Sequence, residues 1–163
     1  AGATRDNEED RVWINKKLVW NKRALHSDCR KATKGWMPGP SDFPHSSKKY
    51  PSCFVDVSVK VPCSGTMALK FESGVDQAEG DEWWAFSDLA VHAAATPRAL
   101  YDDNGGAIGT GWSNTEVTKA GSAGLVHGPW GKKNKKLAKT IDIPAFADEC
   151  IVKWRSWAID SRG

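Results

Sequence analysis

The sequence lacks the features that mark several large classes of protein. No apolar run approaches the ~20 residues of a membrane-spanning helix, and no nucleophile elbow, His-Glu-x-x-His motif, phosphate-binding loop or dinucleotide-binding fingerprint is present. The chain has 23 basic and 20 acidic residues, and a net charge of +3 gives no global field that holds polyanions. We interpret the basic run at 132–136 as a solvated loop. These absences predict a protein that does not insert into membranes, binds no nucleic acid and is not an enzyme.

Cysteine is sparse, and its spacing excludes the common zinc motifs. The four cysteines form no Cys-x-x-Cys pair and have no neighbouring pair of histidines. An even number at wide spacing predicts two disulfides, and disulfides are typical of secreted proteins. Three pairings are open. We predict that Cys29 pairs with Cys53, and that Cys63 pairs with Cys150, because the last two each follow a strand-ending proline.

Alternating apolar and polar residues dominate what is present. In the clearest segment, 54–61, four valines face one way and Asp56, Ser58 and Lys60 the other, which is typical of a half-buried strand. We expect it to form a hairpin with the segment 66–71, and the segment 138–143 to form a second hairpin with 150–159. A strand over 11–15 is also predicted to turn at Lys16 and Lys17 into a strand over 18–20. The predicted core contains six residues of the first pair with Trp154 or Trp157 against them: Val55, Val57, Val59, Val61, Leu69 and Phe71.

The whole pattern predicts one all-β domain over residues 1–163. No apolar period of 3.6 residues persists long enough for a helix, and about eight short strands in a chain of this size indicate an antiparallel β-sandwich, jelly-roll-like and stapled by disulfides. Two stretches, 21–52 and 92–131, are predicted to be long loops. The second is rich in glycine, and we interpret it as a long loop or a connection between repeats.

Acidic residues gather at the predicted ends of strands. Calcium takes six to eight oxygen ligands, which carboxylates and carbonyls of several turns at one end of a sandwich can supply. The alternative is that these carboxylates are solvated or bonded to the local backbone. The candidate calcium ligands are Asp6, Glu8, Asp76, Asp81, Glu82 and Asp160.

Tryptophan is abundant, with nine residues. Trp36, Trp112 and Trp130 fall in loop-like sequence beside glycine or proline. Such rings could stack on the faces of sugars, which predicts a carbohydrate-binding lectin as an alternative function. The competing interpretation is that the rings pin long loops onto the sandwich. A third hypothesis, a hydrolase, would need a convergent acid pair such as Asp81 and Glu82.

Several segments together are similar to a family of extracellular β-sandwich modules repeated in large secreted and surface proteins of protists and algae. The resemblance covers about two thirds of the chain. It is carried by 159–162, 5–8 and 12–20, and by 69–77 with 81–88 as the final hairpin. The resemblance implies a binding or structural role and no catalysis. Its partners would be neighbouring copies of the module, other extracellular proteins or glycans.

The order of the segments differs from the family pattern, because 159–162 should run directly into 5–8. The domain is therefore expected to be circularly permuted, with its termini side by side, or cut from a tandem array. In an array the C-terminal strands of one copy could complete the next copy and build open filaments. We thus expect a secreted adhesion or structural module, one unit of a tandem-repeat or filament protein, with calcium at the acidic end as a candidate stabiliser.

Overall fold

The computed structural model describes residues 9–24, 26–75, 82–103 and 108–160. The backbone of His26 and Asp160 is described but their side chains are not. Strands are numbered in chain order: β1 Glu9–Ile14, β2 Lys17–Arg23, β3 Met37–Pro38, β4 Cys53–Pro62, β5 Thr66–Ser73, β6 Glu82–Ala93, β7 Ala99–Asp102, β8 Val117–Lys119, β9 Leu125–Trp130, β10 Lys136–Asp142 and β11 Glu149–Asp160. The helical elements whose bounds lie within the described residues include a six-residue α-helix, α1 His26–Lys31, and one turn of 3-10 helix, Gly121–Ala123.

The strands form two antiparallel sheets packed as a sandwich, which confirms the predicted fold class. The four-stranded sheet has the order β10-β5-β1-β2. The seven-stranded sheet has the order β3-β4-β11-β6-β9-β8, with β7 also pairing with β6. β11 therefore lies at the centre of its own chain's sheet, between β4 and β6. The C-terminal strand completes the copy to which it belongs.

β1 and β2 form the predicted hairpin through a two-residue turn at Asn15 and Lys16, one residue earlier than predicted. Asn15 and Lys16 both have positive φ, 50° and 67°, as the type I′ turn of a tight hairpin requires. Asparagine tolerates this conformation. Its side-chain Oδ1 also accepts a hydrogen bond of 2.9 Å from the backbone N–H of Ala68 on β5. The turn is thereby tied to the neighbouring strand.

The two other predicted hairpins are wrong. β4 lies in the seven-stranded sheet and β5 in the four-stranded sheet, and β10 and β11 are likewise divided. The β4–β5 and β10–β11 connections each cross from one sheet to the other, and they run next to each other. The N–H of Ile143 donates to the carbonyl of Gly65, and the N–H of Cys63 donates to the carbonyl of Asp148. Alternation shows that a strand has one buried face. It does not show which sheet supplies the partner.

Both predicted disulfides are confirmed. Cys63–Cys150 joins the end of β4 to the start of β11, with 5.8 Å between the Cα atoms. The two cysteines lie at the same height because Cys150 pairs with Val61 in the sheet. Cys29–Cys53 joins α1 to the start of β4. It therefore fastens the segment before β4 to the seven-stranded sheet.

The core lies between the facing sheets. Val61, Leu69 and Phe71 are buried as predicted, and Trp154 is the tryptophan that packs against them. Its ring meets Phe71 edge-on at 5.6 Å between centroids. Val55, Val57 and Val59 point to the same side but are only half-buried, because β4 has a partner on its outer edge only at its first two residues.

The glycine-rich stretch 92–131 is not one long loop. It contains the end of β6 and the strands β7, β8 and β9. β9 pairs with β6 and is buried along most of its length. Its sequence, Leu-Val-His-Gly-Pro-Trp, lacks clean alternation, and glycine and proline are depleted in strands. Packing on β6 overrides this weak local preference.

Candidate functional site

The three tryptophans predicted to stack on sugars are buried. The residues Trp36, Trp112 and Trp130 are 1%, 4% and 2% exposed. Their indole N–H groups donate to the carbonyl of Arg23, the hydroxyl of Tyr101 and the carboxylate of Glu116 respectively. This burial contradicts the sugar-stacking role and agrees with the competing interpretation, in which the rings pin connecting segments onto the sandwich.

Trp112 belongs to a polar network inside the core. Its indole N–H points to the hydroxyl of Tyr101, at 3.4 Å, which donates to Asp103 Oδ1 at 2.7 Å. Asp103 Oδ2 also accepts from the N–H of Leu89 and lies 3.0 Å from His127 Nε2. Burial and the hydrogen bond to Asp103 raise the pKa of Tyr101 well above its usual range. The hydroxyl therefore stays protonated and donating at ordinary pH.

His127 and Asp103 resemble an acid–base pair, but neither is accessible. The ring of His127 is fully buried, stacked on Phe86 at 4.3 Å, and Trp112 covers it edge-on at 5.1 Å. No partner for its Nδ1 is found among the described residues. A substrate cannot reach either group in this arrangement. The pair organises the meeting point of β6, β7 and β9.

Most of the predicted calcium ligands lie outside the described residues. This holds for Asp6, Glu8, Asp76 and Asp81, and for the side chain of Asp160. Glu82 is described and is 1% exposed at the start of β6. Within 9–24, 26–75, 82–103 and 108–160, no group of three or more His, Cys, Asp or Glu side chains could hold a metal ion. A calcium site therefore stays a prediction.

The two ends of the described chain lie at the same end of the sandwich. Glu9 pairs with Arg23 across the first hairpin. The carbonyl of Arg23 accepts from the indole of Trp36, which packs with Ala158 near the end of β11. A permuted module requires such neighbouring ends. The shared acidic loop predicted there falls on residues outside those described.

An apolar groove opens along one side of the sandwich. Its volume is about 600 Å³, and it separates the β1–β2 hairpin from β4. β2 is the last strand of its sheet, and β4 has no strand on its outer edge after Phe54 among the described residues. Two unpaired strand edges therefore flank the groove. It is lined by Ile14, Asn15, Lys17, Leu18, Val19, Val59, Lys60, Val61 and Pro62.

A second, smaller cleft lies on the outer face of the four-stranded sheet. Its volume is about 320 Å³. The half-buried Trp13 forms one wall, and its indole N–H is held by Glu72 Oε1 at 2.6 Å. The lining residues are Trp13, Lys16, Ala68, Leu69, Lys70, Ala138, Lys139 and Thr140.

Neither surface was predicted from the sequence. The signal for Trp13 is its place between Val12 and Ile14, because alternation puts two β-branched residues inward and the tryptophan outward. The sequence contains no comparable signal for the groove. The groove lies between two strand edges, and which strands are edges depends on the strand order of the folded sheets.

Comparison of the chain with protein-family models, with curated proteins and with solved structures finds no match. The resemblance to repeated extracellular modules therefore stays a prediction. In the part of the chain that the structure describes, no helix is long and apolar enough to cross a membrane.

Proposed function

We propose that this chain is an extracellular module of an adhesion or structural protein that binds a second copy of itself and does not act as a catalyst. The observation that supports this function is the outer edge of β4. From Val55 to Pro62 this edge has unpaired backbone groups in the described structure, and an edge of this length is a template for another strand.

The sequence of β4 is self-complementary about Ser58. If two β4 strands pair antiparallel with a two-fold axis at Ser58, Val57 faces Val59 of the second copy. Asp56 then faces Lys60, and Lys60 faces Asp56. Directly opposed residues of an antiparallel pair point to the same side, and opposite charges or β-branched pairs each contribute roughly 0.2–1 kcal/mol. The valines would continue the inner apolar face, and the charges would meet on the outer face.

The existing ion pairs of β4 fit this arrangement. Arg155 contacts Asp56 through two hydrogen bonds of 2.7 and 3.0 Å, and Lys60 lies 3.2 Å from Glu149. Pairing would join them into a network across the two copies. Such surface networks are weak individually, so their main contribution is to set the register.

β2, the other free edge, favours self-pairing less. Its charged residues, Lys17, Lys22 and Arg23, are all basic. Like charges facing each other across strands are destabilising, and lysine on an edge is a common protection against unwanted pairing. Of the two edges that flank the groove, β4 is therefore the self-association edge.

An association of this kind closes on itself. Both partners use the same surface, so two modules form a closed pair. No β4 edge is then left to bind a third module. In a protein with tandem copies, such pairs would cross-link chains and not extend a filament. This matches homotypic adhesion better than the open filament predicted from the order of the sequence motifs.

Two further observations agree with an extracellular, non-catalytic role. The disulfides indicate an oxidising compartment, and secretion is our proposal within that limit. The pair that looks most like acid–base machinery, His127 with Asp103, is buried under Trp112.

A charge exchange on β4 tests the proposal. D56K makes the edge basic at both positions and K60D makes it acidic at both, so each variant alone should self-associate roughly tenfold more weakly than the wild type. An equimolar mixture should recover association, because each Lys then faces an Asp. Sedimentation equilibrium over a concentration series measures all three cases.

K153D is the matched control, because Lys153 is exposed on β11, one strand in from the edge. It should associate like the wild type. Melting curves should show that all variants fold. A monomeric wild type at millimolar concentration, or a mixture no stronger than the single variants, would contradict the proposal.

A further inference from the structure

We infer that the cleft beside Trp13 binds an anionic sugar residue, a pyranose ring carrying a carboxylate or a sulfate. This site is separate from the β4 edge, because it lies on the outer face of the other sheet. A carbohydrate ligand was predicted above for the loop tryptophans, and here the ring that contacts the sugar is that of Trp13.

The row of residues across the sheet builds the cleft. Trp13 pairs with Lys70, which pairs with Ala138, and in the next outward row Ala68 pairs with Thr140. The large indole and two small alanine side chains line the same cleft, with Lys70 between Trp13 and Ala138. A depression results, with an aromatic wall and a polar rim. Sugar rings bind such surfaces through their apolar C–H faces, while rim groups bond their hydroxyls.

The indole is held in place before any ligand arrives. Its N–H donates to Glu72, which lies on β5 in the row next to Lys70. Because the ring is already fixed by this bond and by the strand beneath it, binding costs little side-chain entropy. Glu72 accepts this hydrogen bond, and its neighbours across the strands are two basic residues, Arg11 and Lys136. The described residues that line the cleft include lysines and no carboxylate.

The charge of the cleft is positive. Lys70 Nζ lies 4.7 Å from the centroid of the Trp13 ring, and Lys16 lines the cleft from the hairpin turn. Across the described residues, neither ammonium group has a carboxylate within ion-pair distance. The ammonium of Lys139 bonds the carbonyl of Thr110 instead. Two lysines without a carboxylate partner in the described part of the chain, beside an aromatic wall, favour a sugar with a negative charge over a neutral one.

Trigalacturonate and its methyl ester are the probes. The two share the same rings, and only the first has free carboxylates. We expect isothermal titration calorimetry to give binding of trigalacturonate roughly tenfold tighter than binding of the ester. A sulfated galactan oligosaccharide of equal length distinguishes the two anionic groups: tighter binding than the uronate assigns sulfate, and weaker binding assigns carboxylate.

Variants locate the site. Trp13→Ala removes the wall and Ala138→Leu fills the depression without changing charge, and each should weaken binding roughly tenfold or more. Lys70→Gln should weaken the acid and leave the ester unchanged. Lys153→Gln, the same charge change on the opposite sheet, should have no effect. In the wild type, the indole N–H resonance of Trp13 should shift on titration.

Three results would overturn the inference. They are equal binding of the acid and the ester, wild-type binding by both Trp13→Ala and Ala138→Leu, and no binding of any of the three sugars. D56K separates this site from self-association. It should bind trigalacturonate like the wild type whether or not the β4 edge pairs, so either proposal can fail alone.

Discussion

Nε2 of His127 lies 3.0 Å from Oδ2 of Asp103 in a part of the core where the two residues are 0% and 4% exposed. The same carboxylate accepts hydrogen bonds from the N–H of Leu89 and the hydroxyl of Tyr101. One buried acid thus serves groups from β6, β7 and β9. Removing one member of a buried polar network leaves its partners without a hydrogen bond in a region of low dielectric constant, which is costly.

Asp103→Ala should therefore be strongly destabilising. It removes the acceptor that the N–H of Leu89 and the hydroxyl of Tyr101 use, and each buried donor left without a partner costs about 1–3 kcal/mol. Asp103→Asn keeps one oxygen acceptor and should cost less. Urea unfolding measures both, with the exposed Asp142→Ala as control. A loss below about 1 kcal/mol for Asp103→Ala would mean that the network adds no more than a single ordinary hydrogen bond.

The raised pKa of Tyr101 predicts a loss of stability in alkali. Above pH ~10 a tyrosine of the unfolded chain loses its proton, whereas Tyr101 in the folded protein keeps it. The unfolded state then binds fewer protons, so the free energy of unfolding falls as pH rises. Melting temperatures between pH 9 and 11 should fall more steeply for the wild type than for Tyr101→Phe. Equal slopes would show that the hydroxyl titrates normally.

The two disulfides should contribute unequally. Cys63–Cys150 closes a separation of 87 residues and Cys29–Cys53 one of 24. In the chain-entropy model, the longer loop stabilises by about 1 kcal/mol more, within contributions of roughly 2–4 kcal/mol each. The paired variants C63S/C150S and C29S/C53S test this by denaturant unfolding. A greater loss from the second would show that strain or residual structure outweighs loop entropy.

Trp154→Ala should cost about 3–5 kcal/mol, as expected for truncating a large buried side chain. The ring packs edge-on against Phe71 and Trp20 across the sandwich. Trp13→Ala is the matched control, because Trp13 is half-buried on the outer face and should cost much less. Thermal melts of both variants decide the point, and an unchanged melting temperature for Trp154→Ala would contradict the assigned core face.

The candidate sites were predicted less well from the sequence than the fold class. Loop-like sequence around Trp36, Trp112 and Trp130 indicated exposed rings, yet all three are buried. Glycine and proline break local periodicity, but they do not stop a segment from packing on the core. Conversely, Trp13 sits in a plain strand pattern and lines a surface cleft. Alternation assigns it outward, and only Ala68 and Ala138, which line the same cleft, make the depression.

Sequence alone determined the all-β class and the facing of strands such as β4 and β5. These follow from period-two burial and from local chain direction, which are properties of short segments. Tertiary structure alone decided that β4 and β5 belong to different sheets, and that the outer side of β4 has no partner strand after Phe54 among the described residues. Strand order depends on which distant segments bury each other's apolar faces. The free energy of this burial comes from the whole core and not from any one segment. No local pattern encodes it, which is why the free edge at Ser58 and the cleft at Trp13 emerge only from the folded chain.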